Sequence, residues 1–144
     1  MDTIPSEFLM DYRIELVGSG YGLGTTPTGD RRTGGISGGS FEGPRLKGKV
    51  EPFGDDWMIA RPDDALDPEV RTVLTTDDGV HIGLKYGGII YPGSKLASGE
   101  DIYWRIVMRF YTGSEKYDWL NRIIAIGAGK MEPGVAVYRV WEVK

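Results

Sequence analysis

The sequence predicts an all-β fold, a single domain built as an antiparallel, meandering β-barrel of about eight strands. Three observations support this. Apolar and polar residues alternate with a period of two in several short runs. Turn-forming residues separate the runs, since the 144 residues include 22 glycines and 8 prolines. No segment sustains a helical period. Roughly eight strands can close into a small barrel, and a two-sheet sandwich is the alternative.

The individual elements follow from these patterns. The clearest strand is 8–17, where Met10, Tyr12 and Ile14 share one face. Asp77-Asp78-Gly79 lies between two strand-like runs and predicts a hairpin. The other predicted strands are 36–51 with a break at Gly43-Pro44, 57–60, 70–76, 80–86, 102–111, 119–127 and 135–143, with single helical turns near 94–100 and 114–118. Residues 18–35, rich in alternating glycine, predict a flexible loop.

The predicted strand over 119–127 is apolar on both faces. Ile123 and Ala125 lie on one side, and Leu120, Ile124 and Ile126 on the other. The outer wall of an isolated barrel should be polar. We therefore expect loops or a second subunit to cover this wall, and we expect a homo-oligomer.

Composition and charge exclude several classes of function. The net charge is −4 without a basic stripe, which argues against nucleic acid as a partner. The chain has no cysteine and one histidine, so thiolate catalysis and the usual metal clusters are not expected. The sequence shows neither a secretory signal nor a membrane-spanning run, and we expect a cytoplasmic protein.

Three sequence patterns that suggest a cofactor or catalytic site do not meet the requirements of such a site. A dinucleotide-binding pattern starting at Gly18 would need glycine where Leu23 stands, and no helix follows. The aspartate pairs lack the spacing of a calcium loop and are typical turn residues. His81 has no carboxylate partner in the sequence and is interpreted as a surface residue. We therefore expect no cofactor and no bound metal.

The segment 103–111 allows two interpretations. Tyr103, Arg105 and Arg109 share one face, and Trp104 and Ile106 belong to the other. If the aromatic and aliphatic face is the core, the arginines are solvated. If the arginine–tyrosine face lines the lumen, it offers donors for an anionic or carbonyl ligand. The expected cover on the outer wall slightly favours the second interpretation.

Three stretches of the sequence match the pattern of one family. They are residues 38–50 (GGSFEGPRLKGKV) with Asp56-Trp57, Arg71 with residues 74–79 (LTTDDG), and residues 103–105 (YWR) running to 117–122 (YDWLNR). Together they resemble the domain of unknown function 3237 family of short bacterial and fungal proteins. The resemblance covers nearly the whole chain. It implies a meandering β-barrel that often self-associates, and a small-molecule enzyme is suggested by members near aromatic-degradation genes.

The chain departs from the family pattern at three positions. Phe53-Gly54 stands where Gly-Gly is usual, and Trp104 replaces a usual Phe. Tyr111 replaces a usual Glu, which removes a carboxylate and puts a role for that position in doubt.

The matched polar and aromatic residues are the candidate site. A buried carboxylate with a raised pKa can transfer a proton, and arginine, tyrosine or asparagine can stabilise an oxyanion. The candidate catalytic residues are Glu42, Asp56, Tyr103 and Arg105, and the candidate substrate-binding residues are Arg45, Trp57, Arg71, Trp119 and Asn121. The alternative for Glu42 with Arg45, and for Asp56 with Arg71, is a structural ion pair.

The sequence thus favours a cofactor-independent enzyme, an isomerase, lyase or cyclase, that acts on a small carbonyl or aromatic compound inside the barrel. The first alternative is a non-catalytic barrel that binds a small ligand. A structural interaction module is a third, weaker interpretation, because a surface does not need the matched polar residues. We further predict that Tyr103, Arg105 and Trp119 line one pocket with Glu42 or Asp56.

Overall fold

A computed structural model describes residues 2–18, 20–93 and 102–144. These residues form ten β-strands and one short 3-10 helix. The strands are β1 (Ser6–Leu16), β2 (Tyr21–Thr26), β3 (Gly29–Glu42), β4 (Lys47–Ala60), β5 (Leu66–Asp67), β6 (Glu69–Thr76), β7 (His81–Tyr91), β8 (Tyr103–Tyr111), β9 (Ala125–Glu132) and β10 (Val135–Val143), with the helix at Asp118–Arg122. None of these residues forms a helix long and apolar enough to span a bilayer.

Eight of the strands close into a ring, which confirms the predicted antiparallel β-barrel. The order around the ring is β1, β3, β4, β6, β7, β8, β9 and β10, and β10 pairs back onto β1. Every neighbouring pair is antiparallel, and closure of the ring gives each of its strands a partner strand on both sides. Strand β2 pairs with the first half of β3, and the short β5 lies between β4 and β7.

The lumen of the barrel is packed with side chains. Along β8, Trp104, Ile106, Met108 and Phe110 are buried, and Tyr103 is exposed. The period-two alternation that the sequence showed thus separates an inner face from an outer face. The aromatic and aliphatic face is the core.

The two ends of the barrel differ. Strand register places Leu16, Asp56 and Glu69 at one end and Lys47 and Glu142 at the other. The 3-10 helix packs across the second end, where Leu120 is fully buried. We call these the open end and the plugged end.

A bulge in β4 shapes the open end. The register of β4 against β6 shifts between Val50 and Gly54, and Gly54 has a φ of +100°. A Cβ at this position would collide with the backbone oxygen of Arg71. Only glycine tolerates both conditions, and the bulge turns the chain just before Asp56.

Two predicted elements were wrong. Residues 18–35 are not a loop, because β2 and the first half of β3 occupy most of this segment. The segment 119–127 begins as the 3-10 helix and becomes a strand only at Ala125. Of the five apolar residues assigned to its two faces, only Leu120 belongs to the helix, and of the others Ala125 is buried and Ile124 is 51% exposed. The turn predicted near 94–100 lies outside the described residues.

Candidate functional site

Asp56 is a buried carboxylate at the open end of the barrel. Its side chain faces the lumen, opposite Val70 of β6, which in turn lies opposite Tyr86 of β7. The backbone N–H of Glu69 donates to Asp56 Oδ1 at 3.2 Å. Among the described residues, no cation reaches Asp56 at ion-pair distance. Burial therefore dominates and raises the pKa of Asp56 to about 6.

Three tyrosines pack in the lumen near this carboxylate. Tyr12, Tyr86 and Tyr138 have ring centroids 5.5 to 5.9 Å apart. The hydroxyls of Tyr12 and Tyr86 form a buried hydrogen bond of 3.2 Å. Burial, with a contribution from the negative charge of Asp56, raises the pKa of each tyrosine. All three therefore stay protonated at neutral pH and remain able to donate hydrogen bonds.

Trp104 adds a further donor to this cluster. Its ring meets Tyr138 edge-on with centroids 5.6 Å apart. The indole N–H is close enough to favour the ionised form of Tyr138, but it has no acceptor at hydrogen-bond geometry within the described part of the chain. A buried donor without an acceptor costs free energy and marks a position where an oxygen atom would be stabilised.

Gly129 on β9 leaves room for these two rings. A Cβ at Gly129 would lie 2.7 Å from Tyr138 Cε1 and 2.8 Å from Trp104 Nε1. The lumen at this level accommodates the aromatic cluster only because β9 carries no side chain there.

A cavity of about 320 Å³ gives access to Asp56 from the open end. Leu16, Val17 and Met58 form its apolar wall, and Arg32 and Asp56 are its charged residues. The site thus combines an opening and a carboxylate of raised pKa, which can accept a proton. The three tyrosines and Trp104 do not line this cavity and are buried in the lumen, where neutral donors of this kind can stabilise a negative oxygen. No group of three His, Asp or Glu side chains among the described residues could hold a metal ion.

A family comparison agrees with the sequence resemblance. The model of the family described as protein of unknown function (DUF3237) matches residues 5–143. The chain belongs to this family. A UPF0311 protein of Rhodopseudomonas palustris strain TIE-1 is 34% identical over 136 residues, which cover 88% of this chain and 89% of the relative.

Solved structures share the fold over the whole chain. A β-barrel-like protein of Acinetobacter baumannii AYE is 33% identical with a TM-score of 0.91, over 100% of this chain and 98% of its own. A protein of unknown function from Rhodopseudomonas palustris is 27% identical with a TM-score of 0.89 and full coverage of both chains. An enzyme from Penicillium herquei, 23% identical with a TM-score of 0.76 over 100% and 98% of the two chains, shows the likeness of fold alone.

The placement of Tyr103 and Arg105 corrects the favoured interpretation of 103–111. Tyr103 is 38% exposed, and the guanidinium of Arg105 lies over its ring at 5.5 Å on the outer face of β8. The prediction that these residues line the lumen, in one pocket with Trp119 and a carboxylate, was wrong. The barrel closes with the larger apolar surface of Trp104 inside, which leaves the charged face to solvent.

Arg45, Trp119 and Asn121 lie at the plugged end. Arg45 Nη2 donates to Glu142 Oε2 at 3.0 Å, and its guanidinium stacks 4.2 Å from the Trp119 ring. Asn121 accepts from the backbone N–H of Thr112 and donates to the carbonyl of the same residue. These contacts hold the plug and do not reach Asp56.

Glu42, Trp57 and Arg71 lie outside the lumen. Glu42 and Arg71 are exposed on β3 and β6, and neither forms the ion pair weighed from the sequence. Trp57 is 47% exposed on the face of β4 opposite to Asp56 and borders an outer groove. Asp56 alone among the nine candidates lies in the lumen. The others occupy outward-facing positions of their strands or lie at the plugged end.

The grooves on the outer wall offer fewer groups for catalysis than the open end. A groove of about 640 Å³ over β1, β9 and β10 is lined by Asp11, Arg13 and Arg139. Asp11 pairs with Arg139 at 3.1 Å, and Arg13 pairs with Glu132 at 3.2 Å. These exposed charges pair with one another.

Sequence reasoning missed the aromatic cluster and Arg32. Tyr12 was assigned only to one face of the first strand, and Tyr86 and Tyr138 were not among the candidate residues. Their phenolic oxygens carry the missed signal, because an inward tyrosine needs a hydrogen-bond partner that a Phe would not need. Arg32 was hidden inside the segment interpreted as a loop.

Proposed function

We propose that this protein is a cofactor-independent enzyme that acts on a small carbonyl or aromatic compound by acid–base chemistry, with Asp56 as the proton-transfer group. The observation that carries the proposal is the environment of Asp56. Burial without an ion pair raises its pKa to about 6, close to neutral pH, which is where a general acid or base works best. Burying a carboxylate without an ion pair costs free energy, so a structural role alone gives little reason for its position.

The reaction that suits these residues is proton transfer next to a carbonyl group. Ionised Asp56 removes a proton from a carbon beside the carbonyl, and the electron pair of that bond moves to give an enolate. The negative oxygen accepts hydrogen bonds from the Trp104 indole and a tyrosine hydroxyl. Asp56 then returns its proton to a different atom, and the product is an isomer or a ring-closed form of the substrate.

The comparisons support the proposal only through the fold. A protein of the same fold from Penicillium herquei is described as an enzyme. A fold does not imply a function, so the proposal depends on the residues around Asp56 and not on the likeness.

The test compares Asp56→Asn with Glu42→Gln. A thermal-shift screen of aromatic acids, enones and lactones identifies ligands, and product analysis after long incubation identifies substrates. Asp56→Asn should bind the ligand with unchanged affinity and lose about a hundredfold or more in turnover. Glu42→Gln removes an exposed carboxylate of the same charge and should keep full turnover.

A non-catalytic binding barrel predicts a different result. Every stabilising ligand would then be recovered unchanged, and Asp56→Asn would alter affinity alone. That result would overturn the proposal of an enzyme and support a non-catalytic binding barrel.

A further inference from the structure

Arg32 lies at the open end on the same face of the sheet as Asp56. In the pairing of β3 with β4, Arg32 is directly opposite Met58, and Gly34 is directly opposite Asp56. Because residues two apart share a face of a strand, Arg32 and Asp56 are diagonal neighbours across these two strands. Both line the cavity of about 320 Å³.

Arg32 has little to bind within the protein itself. Its Nη2 contacts Met58 Sδ at 3.6 Å, a weak acceptor, and the described residues provide no carboxylate at ion-pair distance. Its positive charge is felt by the site, because it lowers the pKa of Asp56 against the larger effect of burial. A guanidinium that keeps its donors free beside a cavity can bind a planar anion through two hydrogen bonds.

Apolar side chains form part of the remaining wall of the cavity, beside Thr33 and glycine backbone. Leu16 and Val17, at the end of β1, are 44% and 53% exposed, and Met58 lies directly opposite Arg32 on β4. An apolar body placed against these side chains would be removed from water. The cavity therefore presents an exposed cation, apolar side chains and a buried proton-transfer group.

We propose that Arg32 is the specificity-determining residue of this site and that the substrate class is small aromatic or unsaturated carboxylic acids. The carboxylate of the ligand pairs with Arg32 at the rim, its apolar body lies against Leu16, Val17 and Met58, and its reacting end points towards Asp56. This inference rests on the proposed function for the identity of the reacting end. The anion subsite itself requires only binding.

A rim position for the anion also follows from charge. A carboxylate deeper in the lumen would face ionised Asp56, and two close like charges repel. At Arg32 the anion is neutralised before the body of the ligand reaches Asp56. The pairing is partly exposed, so it contributes modestly to affinity and weakens with added salt.

The experiment measures the affinity of two matched probes by titration calorimetry, cinnamate and its neutral analogue cinnamamide. Wild-type protein should bind cinnamate up to about fivefold more tightly than cinnamamide, the ratio that one exposed charge pair gives. Arg32→Gln should remove this preference and keep the affinity for cinnamamide. The control is Arg31→Gln, since Arg31 is the next residue, carries the same charge and donates to Thr28 Oγ1 instead.

The outcomes separate the anion subsite from catalysis. The subsite is overturned if Arg32→Gln retains the preference for cinnamate, if Arg31→Gln loses it equally, or if cinnamate fails to bind wild-type protein at millimolar concentration. Asp56→Asn should keep the cinnamate preference whether or not the protein is an enzyme. If the preference for cinnamate depends on Arg32 and the protein turns over no ligand, the anion subsite is supported and the proposed enzymatic function is contradicted.

Discussion

At the residue scale, the cost of burying Asp56 without an ion pair makes stability depend on pH. The folded protein holds the proton with a pKa of about 6, and the ordinary value is 3.8. Because folding raises this pKa, the contribution of Asp56 to stability is greatest at low pH and is lost as pH rises through about 6.

The replacement Asp56→Asn should abolish the loss of stability that Asp56 causes as pH rises. At pH 7.5 the variant should be more stable than wild type by up to about 3 kcal/mol, the equivalent of the pKa difference. At pH 4 the two proteins should have similar free energies of unfolding. Urea denaturation at several pH values measures the free energy of unfolding of both proteins. The quantity to compare is the difference between wild type and variant at each pH, because carboxylates such as Asp78 have lowered pKa values and change the stability of both proteins in the opposite direction. A difference independent of pH would contradict the burial of an ionisable Asp56.

At the element scale, the bulge in β4 aims Asp56 into the lumen. Gly54→Ala must place a side chain at a φ of +100° and against the backbone of Arg71. We expect a loss of about 1 to 3 kcal/mol in the free energy of unfolding, measured by urea denaturation.

The matched control for the bulge is Gly113→Ala. A Cβ at Gly113 would meet no atom within 4 Å, and its φ is not positive. This variant should differ from wild type by less than about 0.5 kcal/mol. Equal effects of the two substitutions would show that the bulge is not constrained.

The same elements show what the sequence could and could not predict. The strand β1 and the hairpin at Asp77-Asp78-Gly79 could be predicted from the sequence, because both signals are local. The first half of strand β3 was missed because its glycines have no side chains to alternate, and it is held by pairing with β2 and β4. That pairing is a long-range property that no local pattern records.

The candidate site was predicted only in part for a related reason. Asp56 was identified through the family resemblance, and the structure brings it to the lumen. The orientation of β8 depends on which face the closed sheet encloses, and Trp104 rather than Arg105 is enclosed. The tyrosines come together from β1, β7 and β10, which are far apart along the chain.

At the scale of the whole molecule, we propose that the outer wall of β7 and β8 is covered by a second copy of the chain. Ile89, Tyr103 and Val107 are 38 to 47% exposed on adjacent strands of this wall. Burying such a surface against a second copy would remove apolar area from water. Light scattering at micromolar concentration should therefore give a mass above the 15.9 kDa of one chain.

The replacement Val107→Glu should shift that mass towards the monomer, because an unpaired charge in an interface is costly. Leu23→Glu is the control, since Leu23 is equally exposed on β2 and does not lie on this wall. A monomeric wild-type protein, or dissociation by the control alone, would contradict the proposed interface.

The central claim is that Asp56 transfers a proton to and from a bound substrate, and hydrogen–deuterium exchange on the ligand tests it most directly. Ligands from the thermal-shift screen that carry an acidic C–H bond are incubated in D₂O, and mass spectrometry follows deuterium uptake. Wild-type protein and Glu42→Gln should catalyse uptake at equal rates, and Asp56→Asn should be slower by about a hundredfold or more. Uptake by Asp56→Asn at the wild-type rate, with the ligand still bound, would contradict the account.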